Sequence, residues 1–227
     1  TCWVIQPFMR KLEIEYGRYI HIEYHMGGML PSWETYPKGK IKQPSDAARH
    51  WEEVAVSYEM PLDGDVWIED PLNSSYPPSI AFKAAQMQST RKARLFLRKL
   101  QEMVFIEKKN IIKWDYLEKA AFDTGLDVAR LLKDFDQKAR ELFNEDLELG
   151  QQMGVTTFPT LYFTKDAGSR VVLKGYQSYE KFEEIIHRLI PDAKKDPINA
   201  DPKHLFSLFP TMTTKEFAFL SDITRED

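Results

Sequence analysis

The chain holds one cysteine, Cys2, among its 227 residues. A single cysteine excludes an internal disulfide framework and favours a reducing compartment such as the cytoplasm. No apolar run approaches the roughly 20 residues that a membrane-spanning helix needs. No signal-peptide pattern is present, because Thr1-Cys2-Trp3 leads straight into a patterned helix. One-sided charge is also missing: the formal net charge is −4, which argues against a nucleic-acid footprint. Gly27-Gly28 is too short to cradle a phosphate. His21 and His25 share a strand face with Glu23, but no further His or Cys stands beside them. They read as a solvated face, and no metal is expected.

What is present is ordinary for a globular protein, with 43% hydrophobic and 29% charged residues. Aromatic residues reach 13%, so a well-filled core or a sticky binding surface is expected. The length suits a core domain with a large insertion. Paired acids such as Glu52-Glu53 and Glu183-Glu184 read as helix surface, and Trp33, Trp51, Trp67 and Trp114 as core or domain-interface residues.

Apolar residues recur at helical spacing from Cys2 to Tyr16, with Pro7 inside and Gly17 as a stop. Pro7 should kink that helix. Residues 20 to 26 then alternate apolar and polar, the period of a strand with one buried face. From about residue 45 to 153 the sequence reads as helical, broken by a Pro-rich loop over residues 61 to 78. After Gly154 the period returns to two: Thr160 to Thr164 and Arg170 to Leu173 read as a hairpin around Asp166-Ala167-Gly168. An amphipathic helix spans Tyr179 to Ile190, and Thr213-x-x-Glu216 is a capping-box pattern in the tail.

The expected organisation is residues 1–44 as the first part of the core domain and 45–153 as a helical insertion. Residues 154–190 form its second part, 191–202 a linker, and 203–227 a C-terminal helical module. The fold class is α/β, a mixed sheet with a large all-helical insertion and a small helical extension. Such a sheet needs one more strand ahead of Cys2.

Two features can carry chemistry. A cysteine at a helix N-terminus sits beside unpaired N–H groups and the positive end of the dipole, which stabilise thiolate. The competing reading of Cys2 is a small buried apolar residue. The second feature is Thr157-Phe158-Pro159-Thr160. Proline at a strand entry cannot donate to the ladder, and an X-Pro bond held cis would turn the preceding backbone outward towards an extended peptide. A trans proline that merely starts a strand is the alternative.

Together, Cys2-Trp3 followed by Pro7, the strand ending in Gly27-Gly28, and Gly154-Val155-Thr156-Thr157-Phe158-Pro159-Thr160 resemble the DsbA family. Ser74 to Ala85, Phe96 to Glu102 and Lys108-Lys109-Asn110-Ile111 narrow the resemblance to its cytoplasmic FrnE-like branch, a thioredoxin fold with an inserted helical domain. It covers roughly residues 2 to 190. The tail from Phe209-Pro210-Thr211-Met212 to Asp222 is similar to that of the SpxH-type adaptors, which present the regulator Spx to the protease ClpXP.

The resemblance implies a thiol–disulfide oxidoreductase acting on protein or small-molecule thiols, with Cys2 and Pro159 catalytic. Trp3, Thr157 and Phe158 would be substrate-binding, and no cofactor is implied. The family motif is Cys-x-x-Cys; Cys2 would be its second, resolving or buried cysteine, the first would lie just ahead of Thr1, and the oxidoreductase reading is conditional on that first cysteine. The alternative is a non-catalytic adaptor whose partners are Spx and ClpXP. A third reading, a glutathione-dependent isomerase, is weakened because those relatives place serine at the active site.

Overall fold

In the computed structural model, the described residues are 2–36, 41–166 and 168–223. In chain order the elements are α1 (Gln6–Tyr16), α2 (Pro44–Tyr58), α3 (Val66–Glu69), α4 (Tyr76–Gln88), α5 (Thr90–Phe105), α6 (Trp114–Asp123), α7 (Val128–Phe135), α8 (Lys138–Gln152), β1 (Thr160–Thr164), β2 (Arg170–Lys174), α9 (Tyr179–Leu189), α10 (Pro202–Leu208) and α11 (Thr214–Ser221). They divide into two compact units, one made of Thr1–Glu23 with Val155–Asp227 and the other of Tyr24–Gly154. Among the described residues no helix is long and apolar enough to cross a membrane.

The first unit departs from the sequence expectation at α1. The helix starts at Gln6 rather than Cys2, and residues 2 to 5 form turns before it. Pro7 explains the shift. It has no N–H to donate to Trp3, so an α ladder cannot run through it from Cys2, whereas a first-turn position needs no such bond. The proline therefore begins the helix instead of kinking it. Trp3, Val4, Ile5, Phe8, Met9 and Leu12 are all buried, so α1 and its lead-in are core on most sides.

Residues 20 to 26 keep the alternating exposure of a strand but join no ladder among the described residues. In their later part, side chains take the place of a neighbouring strand. The Met26 N–H donates to Asp146 Oδ2, and the Tyr24 carbonyl accepts from Gln86 Nε2. The sheet is the antiparallel pair β1–β2, in register from Thr160 opposite Lys174 to Thr164 opposite Arg170. Ala167 of the expected turn lies outside the described residues, as do residues 224–227 of the expected C-terminal module.

Among its described residues the regular elements of the second unit are all helices, with a core built on Phe82, Phe96, Leu100, Met103, Leu117, Leu131 and Phe143. The loop expected over residues 61 to 78 contains α3, and α4 starts at Tyr76 with prolines in its first turn. The tail forms the capping box: the Glu216 N–H donates to Thr213 Oγ1 while the Thr213 N–H donates to Glu216 Oε2.

Candidate functional site

Cys2 and the Phe158-Pro159 loop both belong to the first unit. One aromatic ring joins the helix that follows Cys2 to the strand that follows the loop. Phe182 of α9 lies 5.9 Å from Phe8 of α1 and 6.1 Å from Phe163 of β1, centroid to centroid. Phe8 also meets Tyr176, Tyr179 and Phe219 at 5.4, 6.0 and 5.2 Å. Edge and tilted contacts of this kind add to the burial that already favours the cluster.

The Phe158–Pro159 peptide bond is cis. Pro159 is buried, Phe158 half-buried and Thr157 exposed. The loop is fixed on both sides. Thr160 Oγ1 donates to the Thr157 carbonyl at 2.6 Å, and the Pro159 carbonyl accepts from the Gly175 N–H at 2.8 Å. Gly175 has φ +69°, a left-handed conformation that a side chain would disfavour. It turns the chain just after β2, and Tyr176 follows directly.

Tyr176 was not legible in the sequence. It is partly exposed, its ring rests on Phe8 of α1, and its neighbour Gly175 holds Pro159. Among the described residues, it is thus an exposed aromatic that touches α1 and directly follows the glycine hydrogen-bonded to Pro159. Only its partners, distant in sequence, reveal this.

Cys2 is exposed as a residue. Desolvation pushes its thiol pKa above the ordinary value of 9.0. The expectation that Cys2 heads a helix is not met. With α1 starting at Gln6, Cys2 stands a full turn outside the helix, where the dipole has fallen off. Trp3, expected to bind substrate, is wholly buried. Among the other candidates, His21 faces Glu23 at 3.8 Å with both side chains exposed, and His25 is bound to Asp146.

The C-terminal extension is fastened to α1. Arg10 pairs with Glu216 Oε1 at 3.1 Å, donates to the Thr211 carbonyl at 2.7 Å, and lies 4.7 Å over the Phe209 ring. Nearer the end of α1, the Asp196 N–H donates to the Glu15 carbonyl and Arg18 pairs with Asp196 at 3.2 Å.

A family model described as thioredoxin matches residues 1–184. Among curated proteins, the ClpXP adapter protein SpxH of Halalkalibacterium halodurans is 33% identical over 98% of this chain and 74% of its own length. The SpxH of Bacillus subtilis is 32% identical over 100% of this chain and 76% of its own. Among solved structures, a Nitrosomonas europaea protein described as a candidate protein disulfide isomerase superposes with TM-score 0.71 at 18% identity, covering 84% of this chain and 91% of that one. The cytosolic disulfide reductase DsbM from Pseudomonas aeruginosa superposes with TM-score 0.64 at 20% identity, covering 83% and 93%.

Proposed function

The chain belongs to the thioredoxin family and, along its whole length, to the SpxH adapter group within it; on that premise we propose that it is a protein adaptor that delivers a partner to ClpXP. Its fold is the α/β thioredoxin-like one with a large helical insertion and a small helical extension. The observation that carries the proposal is coverage. The thioredoxin model ends at residue 184, whereas the SpxH relatives match on through the extension. That extension is bolted to α1 by Arg10 rather than trailing free.

The partner, by analogy with those relatives, is Spx, and the place of action is the cytoplasm. The Thr157-Phe158-Pro159 loop and Tyr176 form the face that takes an extended partner segment by main-chain pairing. Cys2 and Trp3 belong to the same compact unit as that loop. A thiol with a raised pKa is a weak nucleophile at neutral pH.

The second reading, a thiol–disulfide oxidoreductase with Cys2 and Pro159 catalytic, is favoured by a thiol and a cis-proline loop in one unit. Two assays separate the readings. An adaptor accelerates degradation of purified Spx by ClpXP, and does so with Cys2→Ser as well. An oxidoreductase reduces insulin disulfides faster than Cys2→Ser does. No acceleration of Spx degradation would sink the adaptor reading.

A further inference from the structure

The β1–β2 hairpin has two edges, and its bonding pattern decides which backbone groups each one presents. The Gly175 N–H donates to the Pro159 carbonyl at 2.8 Å, and the Lys165 N–H to the Ser169 carbonyl at 3.3 Å. In an antiparallel pair, opposed residues that exchange bonds alternate with those that do not. Along the register between these two bonds, Leu173 and Val171 are the residues of β2 that bond across, to Leu161 and Phe163. The backbone groups of Arg170, Val172 and Lys174 therefore point away from β1. Among the described residues β2 has no second neighbouring strand, and of these outward groups the Lys174 carbonyl alone is taken, by Gln177 Nε2 at 3.1 Å.

The side chains of this edge carry charge of one sign. Arg170, Val172 and Lys174 alternate with Val171 and Leu173, so they share one face, and all three are exposed. Among the described residues neither Arg170 nor Lys174 has an acidic partner; Arg170 lies 5.7 Å over the Tyr162 ring. Residues 160–174 hold Lys165, Arg170 and Lys174 against Asp166, net +2 in a chain of net −4. The β1 edge offers Thr160, Tyr162 and Thr164, which carry no charge. A second copy does not suit the β2 edge. Antiparallel self-pairing centred on Val172 would set Arg170 against Lys174 of the other copy, and like charges directly opposed disfavour pairing.

We propose that the outer edge of β2 takes a strand of a partner protein, one that sets acidic residues opposite Arg170 and Lys174 and an apolar residue opposite Val172. The outward N–H and C=O groups of Arg170 and Val172, with the Lys174 N–H, supply the ladder. The three side chains supply the selectivity, as in other cases of strand addition to a sheet edge. Opposite charges facing each other across a strand pair stabilise it, so the two cations that repel a second copy select an acidic strand. This edge is separate from the Thr157-Phe158-Pro159 loop, which leads into β1, and its use does not depend on Spx being the partner.

Titration of the full chain with the blocked peptide Gly-Glu-Thr-Val-Thr-Glu-Gly, followed by amide NMR, tests this. The amide signals of Arg170, Val172 and Lys174 should move downfield, whereas those of Val171 and Leu173, already bonded to β1, should barely change. The same peptide with lysine in place of glutamate should bind about tenfold more weakly or worse. Val172→Pro removes one outward N–H and leaves the bonds to β1 in place, since proline is tolerated where an edge N–H faces solvent. It should weaken binding of the glutamate peptide by about tenfold. Should that variant fail to fold, Arg170→Glu with Lys174→Glu gives the second readout, a preference turned towards the lysine peptide. No binding, equal binding of the two peptides, or shifts confined to residues 157–160 would overturn the proposal.

Discussion

Arg10 of α1 and Glu216 of α11 meet at 3.1 Å with side chains 8% and 0% exposed, an ion pair shut away from water. Each charge is compensated almost wholly by the other and by local hydrogen bonds. Arg10 also donates to the Thr211 carbonyl, and Glu216 accepts from the Thr213 N–H. Buried pairs of this kind stabilise little against an apolar substitute, but losing one member leaves a stranded charge.

Glu216→Gln keeps the shape and most of the capping box while stranding Arg10. We expect urea unfolding to show a loss of about 3 kcal/mol or more, and the double variant Arg10→Met with Glu216→Leu to recover most of it. Strictly additive losses in Arg10→Met, Glu216→Leu and their double variant would contradict the pairing.

Tyr16 and Tyr179 make the first unit sensitive to alkali. Burial raises the phenol pKa of Tyr179 above the ordinary 10.0, and the 2.6 Å bond it donates to the Glu15 carboxylate raises it further. Tyr16 is raised by burial and by donation to Glu183 at 3.0 Å. A folded-state pKa above the unfolded one gives stability that is complete below the unfolded pKa and is lost as pH climbs beyond it. Stability should therefore decline above pH 10, with a shallower decline in Tyr179→Phe. Neither phenol should ionise in a 295 nm titration (that of phenolate absorbance) until the protein unfolds. Ionisation of both while circular dichroism stays native would refute this.

Cys2 should react slowly. With its pKa above 9.0 through desolvation, the rate of alkylation by iodoacetamide should keep rising through pH 9, since only thiolate attacks. A rate that levels off near neutral pH would mean a reactive thiol and would favour the oxidoreductase reading.

Phe182 should be the costliest single truncation in the first unit. It is buried and touches Phe8, Tyr179 and Phe163. Phe182→Ala should lose about 3–5 kcal/mol, the range for a large core ring, read by thermal or urea melting. A loss under half of that would mean that α1 and the hairpin are tied by other contacts.

What the sequence made legible was local. The β1–β2 hairpin followed from alternating β-formers, the capping box from Thr213 and Glu216 three residues apart, and the insertion from a hundred residues of helical period. The start of α1 was misplaced because apolar spacing does not register the N–H that Pro7 lacks. Residues 20 to 26 read as a strand because alternation reports which side is buried, and a ladder depends on a neighbour that no local pattern reveals. Tyr176, Arg10 and Asp146 were invisible for the same reason. Each acquires its role from a residue far along the chain: Phe8, Glu216 and His25.

The measurement that tests the adaptor proposal most directly is the rate of Spx degradation by purified ClpXP with and without this chain. Acceleration by the wild type, retained in Cys2→Ser and reduced several-fold when Tyr176→Ala or Phe158→Ala alters the proposed partner-binding face, is the expected result. A degradation rate that the chain leaves unchanged, or an acceleration that vanishes in Cys2→Ser, would contradict it.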